Sequence, residues 1–494
     1  MTGSHSARHG SATKGGISDD AMRAVSKAHG SNSASLPPFT QAELPALPPQ
    51  AWNLIGPGIV AAGVGLASGE FILYPYIASQ VGLTFLWAAA VGLFTQFFIN
   101  MEIERYTLAR GETVLTGFSR LGRHWGLFFV VLAVAANLWP GWVTSSATLL
   151  TYIVGGSASW FAVGMLFAIA LILTLSPVVF RALERAQVLK ILGVGGLFAI
   201  AAVFAIPGEI WTTAPAQAAS PRLPVDQLGW PLLLGAIAYA GAGGGQNLCQ
   251  SNWIRDKGFG MGVHAPRIVS PLTGEPVADA GTGWQFEINA TNLERWQAWW
   301  RFANIEQVAT FLTISFLTIL FTSVLAVATL GRGPELPRDI TFLAVEGAAL
   351  AETVAPWFGR LFWAIGAFSL FAAALGIVDY TSRLAADVIR TSYRSKWNES
   401  RIYAALVWSI TATGILIIIS GMDQPLVLLV IAGCVAAVMM FFYSALLIVL
   451  NQRMLEEPLR PARYRMAALV WATLLFGLLS VITVADQARK LFGE

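Results

Sequence analysis

Gly241-Ala242-Gly243-Gly244-Gly245-Gln246-Asn247 interrupts the apolar stretch Gly229 to Asp256, and Ala67-Ser68-Gly69-Glu70 interrupts the apolar stretch Asn53 to Gln80 in the same manner. Consecutive glycines hold a helix poorly, at up to ~1 kcal/mol per residue relative to alanine. Inside hydrocarbon every backbone N–H and C=O needs a partner, so unwound chain at mid-membrane depth persists only where it is buried in protein or lines a cavity. A pair of such breaks at corresponding places in two halves of a chain points to a substrate site near the midplane.

Composition makes these stretches membrane spans. The chain has 494 residues, 55% of them hydrophobic and 12% charged, with a mean hydropathy of +0.62, whereas a soluble domain carries about 25% charged residues. A net charge of +3 gives no reason to expect a nucleic-acid partner. Cys249 and Cys434 both lie in apolar segments, which argues against a disulfide framework and excludes a Cys-x-x-Cys zinc site. With no Ser/His/Asp arrangement, His-x-x-x-His or phosphate loop, the chain does not read as an enzyme, and no cofactor is expected.

At about 20 apolar residues per span, eleven segments emerge: 53–80, 84–109, 125–153, 157–178, 188–208, 229–256, 303–330, 356–390, 401–420, 423–451 and 465–486. The expectation is an all-α polytopic membrane protein. Segments one to five and six to ten each begin with a broken helix, the layout of two five-helix repeats of inverted topology. The transporter core then covers 51–451, and 452–494 adds an eleventh helix and the C-terminus. Basic residues concentrate in alternate loops and at the segment ends that border them, among them Arg105, Arg110, Arg120 and Arg123 at and after the end of segment two and Arg181, Arg185 and Lys190 where segments four and five meet. Arg255, Lys257, Arg267, Arg295 and Arg301 follow segment six. The positive-inside bias places the N-terminus in the cytoplasm and the C-terminus outside, in a plasma (inner) membrane. Residues 1–50, rich in Ser, Gly, Ala and Pro, read as a disordered cytoplasmic tail. In loop 257–301, Trp296, Trp299 and Trp300 with Arg295 and Arg301 suit a helix anchored at the bilayer surface.

The order Gly56-Pro57-Gly58, Ala61-Ala62 and Ser68-Gly69-Glu70 resembles the opening of the NRAMP divalent-metal transporters, where Gly-Pro-Gly precedes an Asp-Pro-Gly-Asn break at the same distance. Arg105 and Gly111, Asn247-Leu248, Tyr380, Arg383, Asp387 and Trp397 continue the resemblance in order, over residues 52 to 450. It implies a LeuT-like fold with 5+5 inverted repeats. The departures fall on the family's functional positions. Its metal-binding Asp and Asn align with Ala67 and Glu70, its Ala and Met ligands with Gly241 and Gly244, and the Pro and His after that Met with Gly245 and Gln246. Its second His on that helix aligns with Ser251. The Asp and Glu it uses for proton movement align with Asn137 and Pro140.

The residues left at the breaks, Glu70, Ser68, Gln246, Asn247 and freed carbonyls at Ala67, Gly241 and Gly244, form a hard, oxygen-rich set. Such a set suits magnesium or manganese rather than a soft metal. The small residues are expected to leave room for a partly hydrated ion. An ionisable residue inside a membrane is a functional candidate by default, but Glu70 could equally cap the outer half-helix through its free N–H groups. The glycine run could likewise serve close helix packing. Asp379, Arg383 and Asp387, at four-residue spacing, can pair along segment eight as an inner gate or structural ion pairs. Asn137, Trp139 and Pro140 mark a kink in segment three.

These features give a transporter of a hard divalent cation working by alternating access, weakly coupled or uncoupled to protons. The alternatives are a carrier of a small organic solute bearing an amine or amide, and a membrane sensor that signals through loop 257–301. The bilayer and a small cation or solute are the partners implied, and no oligomeric state is implied.

Overall fold

The computed structural model describes residues 36–492 apart from 68, 139, 266, 271, 273–282, 332–335, 337–339, 394–396 and 422–424. Among the described residues nine helices are long and apolar enough to cross a membrane: Gly69–Arg110, Trp125–Val154, Ala158–Leu175, Val179–Phe204, Ala290–Leu330, Pro356–Ser392, Glu399–Ile419, Val430–Met454 and Arg463–Asp486. With the apolar composition, they make the chain an integral membrane protein. The first half of segment one and the whole of segment six fall outside this set because each is cut short by its break.

Segment one runs as Pro57–Gly65, stops at Leu66 and Ala67, and resumes as a π turn, Gly69–Leu73, before the helix Tyr74–Val81. Segment six runs as Trp230–Ala238 and Gly245–Lys257. Its break covers 239–244, so Gly245, Gln246 and Asn247 belong to the first turn of the second half-helix rather than to the unwound stretch. Gly241, Gly243 and Gly244 have φ of +97°, +68° and +58°, a left-handed region in which side chains with a Cβ are strained. Segment three breaks where the kink is expected, between Trp125–Asn137 and Gly141–Val154.

Segment five starts earlier than its apolar run suggests, at Val179. Lys190 is therefore not a loop cation; it lies inside the helix and is 1% exposed. Arg105, Arg110 and Arg255, also counted with the loops, are buried within the bundle as well.

Residues 36–50 are not a free tail. Thr40–Gln41 pairs in parallel with Trp284–Gln285, Leu44 is fully buried, and Phe39 stacks under the guanidinium groups of Arg110 and Arg120 at 4.6 and 4.2 Å. Arg120 donates to the Pro37 carbonyl at 2.7 Å, and Arg295 and Trp299 donate to the Leu44 and Pro45 carbonyls, each at 2.8 Å. The strap thus crosses the end of the bundle expected to face the cytoplasm. It also changes the reading of the tryptophans in loop 257–301: Trp296 and Trp299 are buried in protein, and Trp299 holds the strap. Their helix, Ala290–Gln307, is capped by Asn289 and continues through a π turn, Val308–Leu312, into Thr313–Leu330.

Candidate functional site

The two breaks meet backbone to backbone. A Cβ on Gly65 would overlap the Gly241 carbonyl, and one on Gly69 would overlap the Tyr239 carbonyl. A Cβ on Gly241 would lie 2.8 Å from the Phe311 ring and 2.9 Å from Leu93, and one on Gly244 would lie 2.8 Å from Ala436. The room expected beside these glycines is therefore filled by opposing backbone and apolar side chains. Their small size serves contact.

Several backbone groups at and beside the breaks find partners, most of them on other elements, as buried backbone must. Gln246 donates to the Ala61 carbonyl at 2.6 Å, Ser369 to the Leu66 carbonyl at 3.2 Å and Lys190 to the Gly63 carbonyl at 2.6 Å. Ala67 turns back through its N–H onto the Gly65 carbonyl at 2.6 Å. Across the bundle the Gly243 N–H donates to Gln96 Oε1 at 2.7 Å, and Gln96 in turn donates to the Ala238 carbonyl at 3.1 Å. Asn247 is held by Asn100 at 2.7 Å and by the Tyr443 hydroxyl at 2.9 Å. Gln246 and Asn247 thus spend their side chains on structure, while Ser68 lies outside the described residues.

Glu70 differs from all of these. It is fully buried, its backbone carbonyl accepts from Thr322 at 2.7 Å, and neither carboxylate oxygen has a hydrogen-bond partner among the described residues. The capping role open to it is not taken up. The Ser315 hydroxyl lies beside the carboxylate without bonding geometry, and Lys190 is the cation that acts on it. The Tyr74 hydroxyl, close enough to feel the Glu70 charge, also has no hydrogen-bond partner among the described residues.

The residues of segment eight form a second cluster towards the strap. Arg383, fully buried, donates to Asp379 at 2.7 Å and pairs closely with Asp256 of segment six. The Tyr403 hydroxyl from segment nine donates to Asp379 at 2.7 Å. Asp387 does not pair with Arg383. It accepts from Thr113 and faces Arg255 at 3.5 Å, which also reaches Glu399 at 2.9 Å. Buried charges persist only when compensated, and this network joins segments six, eight and nine to the turn after segment two. In segment three Asn137 accepts from Tyr380 at 2.9 Å and donates to the Ala133 carbonyl at 2.7 Å. Trp139 lies outside the described residues.

Sequence reading missed Lys190, Gln187, Glu306 and Ser369. Lys190 and Gln187 sit three apart, hence on one helix face, and Gln187 donates to the Ala372 carbonyl at 2.8 Å. That spacing was the available signal, hidden by starting segment five too late. Glu306 accepts from the Gly56 and Gly58 N–H groups at 3.3 and 2.9 Å, so the Gly-Pro-Gly run marks a half-helix N-terminus capped from segment seven.

Two interrupted helices packed at their breaks, among nine long apolar helices in the described residues, invite comparison with known transporters. The Eremococcus coleocola manganese transporter in complex with an aromatic bis-isothiourea compound superposes with a TM-score of 0.68 at 13% identity, covering 94% of this chain and 93% of that one. The chain shares the fold of that transporter. A variant of the same transporter gives a TM-score of 0.66 at 14% identity over 92% of this chain and 91% of that one. Mhp1, a nucleobase-cation-symport-1 family transporter in a closed conformation with bromovinylhydantoin bound, gives 0.52 at 11% identity over 93% of this chain and 96% of that one. No family model and no curated protein matches the sequence.

Proposed function

We propose that this chain is a membrane transporter that moves a small solute by alternating access about segments one and six. The observation that carries the reading is the Glu70 carboxylate, fully buried at a helix break and without a hydrogen-bonding partner among the described residues. A buried charge left unsatisfied by the protein is costly, and a cationic ligand is what would satisfy it. The scaffold shared with a manganese transporter supports a divalent cation as that ligand, bound through Glu70 and carbonyl oxygens and hard in character because no sulfur stands at the breaks. The N-terminus is assigned to the cytoplasm, following the loop charges.

A specific observation favours a small organic solute as the second reading. Among the described residues no group of three or more His, Cys, Asp or Glu is placed to hold a metal ion. One carboxylate facing one lysine offers little net charge to a dehydrated dication. Flux into liposomes, measured for magnesium, manganese, calcium and a panel of organic amines with wild type and Glu70→Gln, tests both. Uptake of a metal that Glu70→Gln abolishes supports the first, amine uptake the second, and no flux of either kind counts against a transporter.

A further inference from the structure

Lys190 is a buried cation that binds the half-helix ending at the break in segment one. Its ammonium donates to the Gly63 carbonyl at 2.6 Å and is 1% exposed. Gly63 belongs to the last turn of Pro57–Gly65, where carbonyls have lost their helical donors and the macrodipole is negative. Unwound carbonyls and half-helix C-termini of this kind coordinate coupling cations in secondary transporters. The flanking carbonyls at Ala61 and Leu66 are taken by the neutral donors Gln246 and Ser369; Gly63 alone of the three receives a charge. Neither packing nor helix propensity calls for a lysine here, since an apolar residue of similar length would avoid burying an ammonium.

We propose that the Lys190 ammonium is a tethered cation filling a carbonyl site at the first break in place of a free sodium or potassium ion. The break is then held in its broken form without a co-substrate ion, and Glu70, on which Lys190 acts electrostatically, supplies the countercharge. The inference builds on the transporter reading for its meaning in a transport cycle, whereas occupancy of the site can be tested without transport.

The test is thermal unfolding of purified wild type, Lys190→Arg, Lys190→Ala and Lys190→Ser in equal concentrations of sodium, potassium, lithium and choline chloride. Wild type and Lys190→Arg should unfold at the same midpoint in every salt. The two uncharged variants should be weakened in choline and recover saturably by several degrees with one of the small cations, as binding to the folded state requires. Wild type responding to a small cation as strongly as Lys190→Ala would overturn the proposal, as would folded uncharged variants indifferent to all the salts. Failure of both uncharged variants to fold in any salt while Lys190→Arg folds would also overturn it, because a free ion would then be unable to replace the ammonium. An intact salt response with no liposome flux would count against the transporter reading alone.

Discussion

Gly65 and Gly241, one at each break, approach so closely that a methyl group on Gly65 would overlap the Gly241 carbonyl. The neighbouring atoms are backbone, which cannot rotate away as a side chain can. Gly65→Ala should therefore lower stability by about 1–3 kcal/mol, the usual cost of overpacking. Thermal unfolding in detergent will measure it, with Gly193→Ala as the control, since a Cβ on Gly193 meets nothing within 4 Å.

Glu70→Gln should lower the unfolding midpoint by only a few degrees, because the carboxylate makes no hydrogen bond that the substitution would break and what is lost is its longer-range attraction to Lys190. Transport of the true substrate should fall by at least tenfold. A loss of stability with full transport would make Glu70 a structural residue.

Arg383→Leu should destabilise by about 3–5 kcal/mol, the cost of leaving buried carboxylates without their partner, because Asp379 and Asp256 both depend on this guanidinium. Adding Asp256→Asn to Arg383→Leu should recover part of the loss. Unfolding of the single and double variants, compared in a double-mutant cycle, checks the coupling.

Glu346 gives a pH signature outside the spans. It lies on the short helix Phe342–Thr353, and burial pushes its carboxyl up to about 8. The folded state then holds a proton that the unfolded chain releases above the ordinary carboxylate range, so stability from this group is complete below pH ~4.5 and is lost as pH rises through about 8. Glu346→Gln should flatten the unfolding midpoint across that window and raise it at the alkaline end.

The breaks were legible because glycine runs and a lone glutamate are rare inside apolar segments, and their meaning follows from backbone chemistry alone. The kink near Asn137 and Pro140 was legible for the same reason. Lys190 was not, because a positive-inside count treats any cation near a segment end as loop, whereas the helix begins well before it, at Val179. The second partner of Arg383 was hidden because four-residue spacing reveals Asp379 on the same helix but says nothing of Asp256 on another. The glycines were read as making space, when close backbone contact was the other use their size allows.

The strap formed by residues 36–50 also constrains how the protein is made. It leaves the ribosome before any membrane segment, yet Arg295, which holds the Leu44 carbonyl, is separated from it by 251 residues of sequence. Trp284, which pairs with Thr40, also follows six membrane segments. Phe39 and Pro37 can engage Arg110 and Arg120 once segment two is in place, but the pairing of Thr40 and the bonds to Leu44 and Pro45 have to wait until half the bundle has been inserted and the helix leading into segment seven has formed. Closure of the strap is a late assembly step that links a segment made before the first span to the second half of the fold.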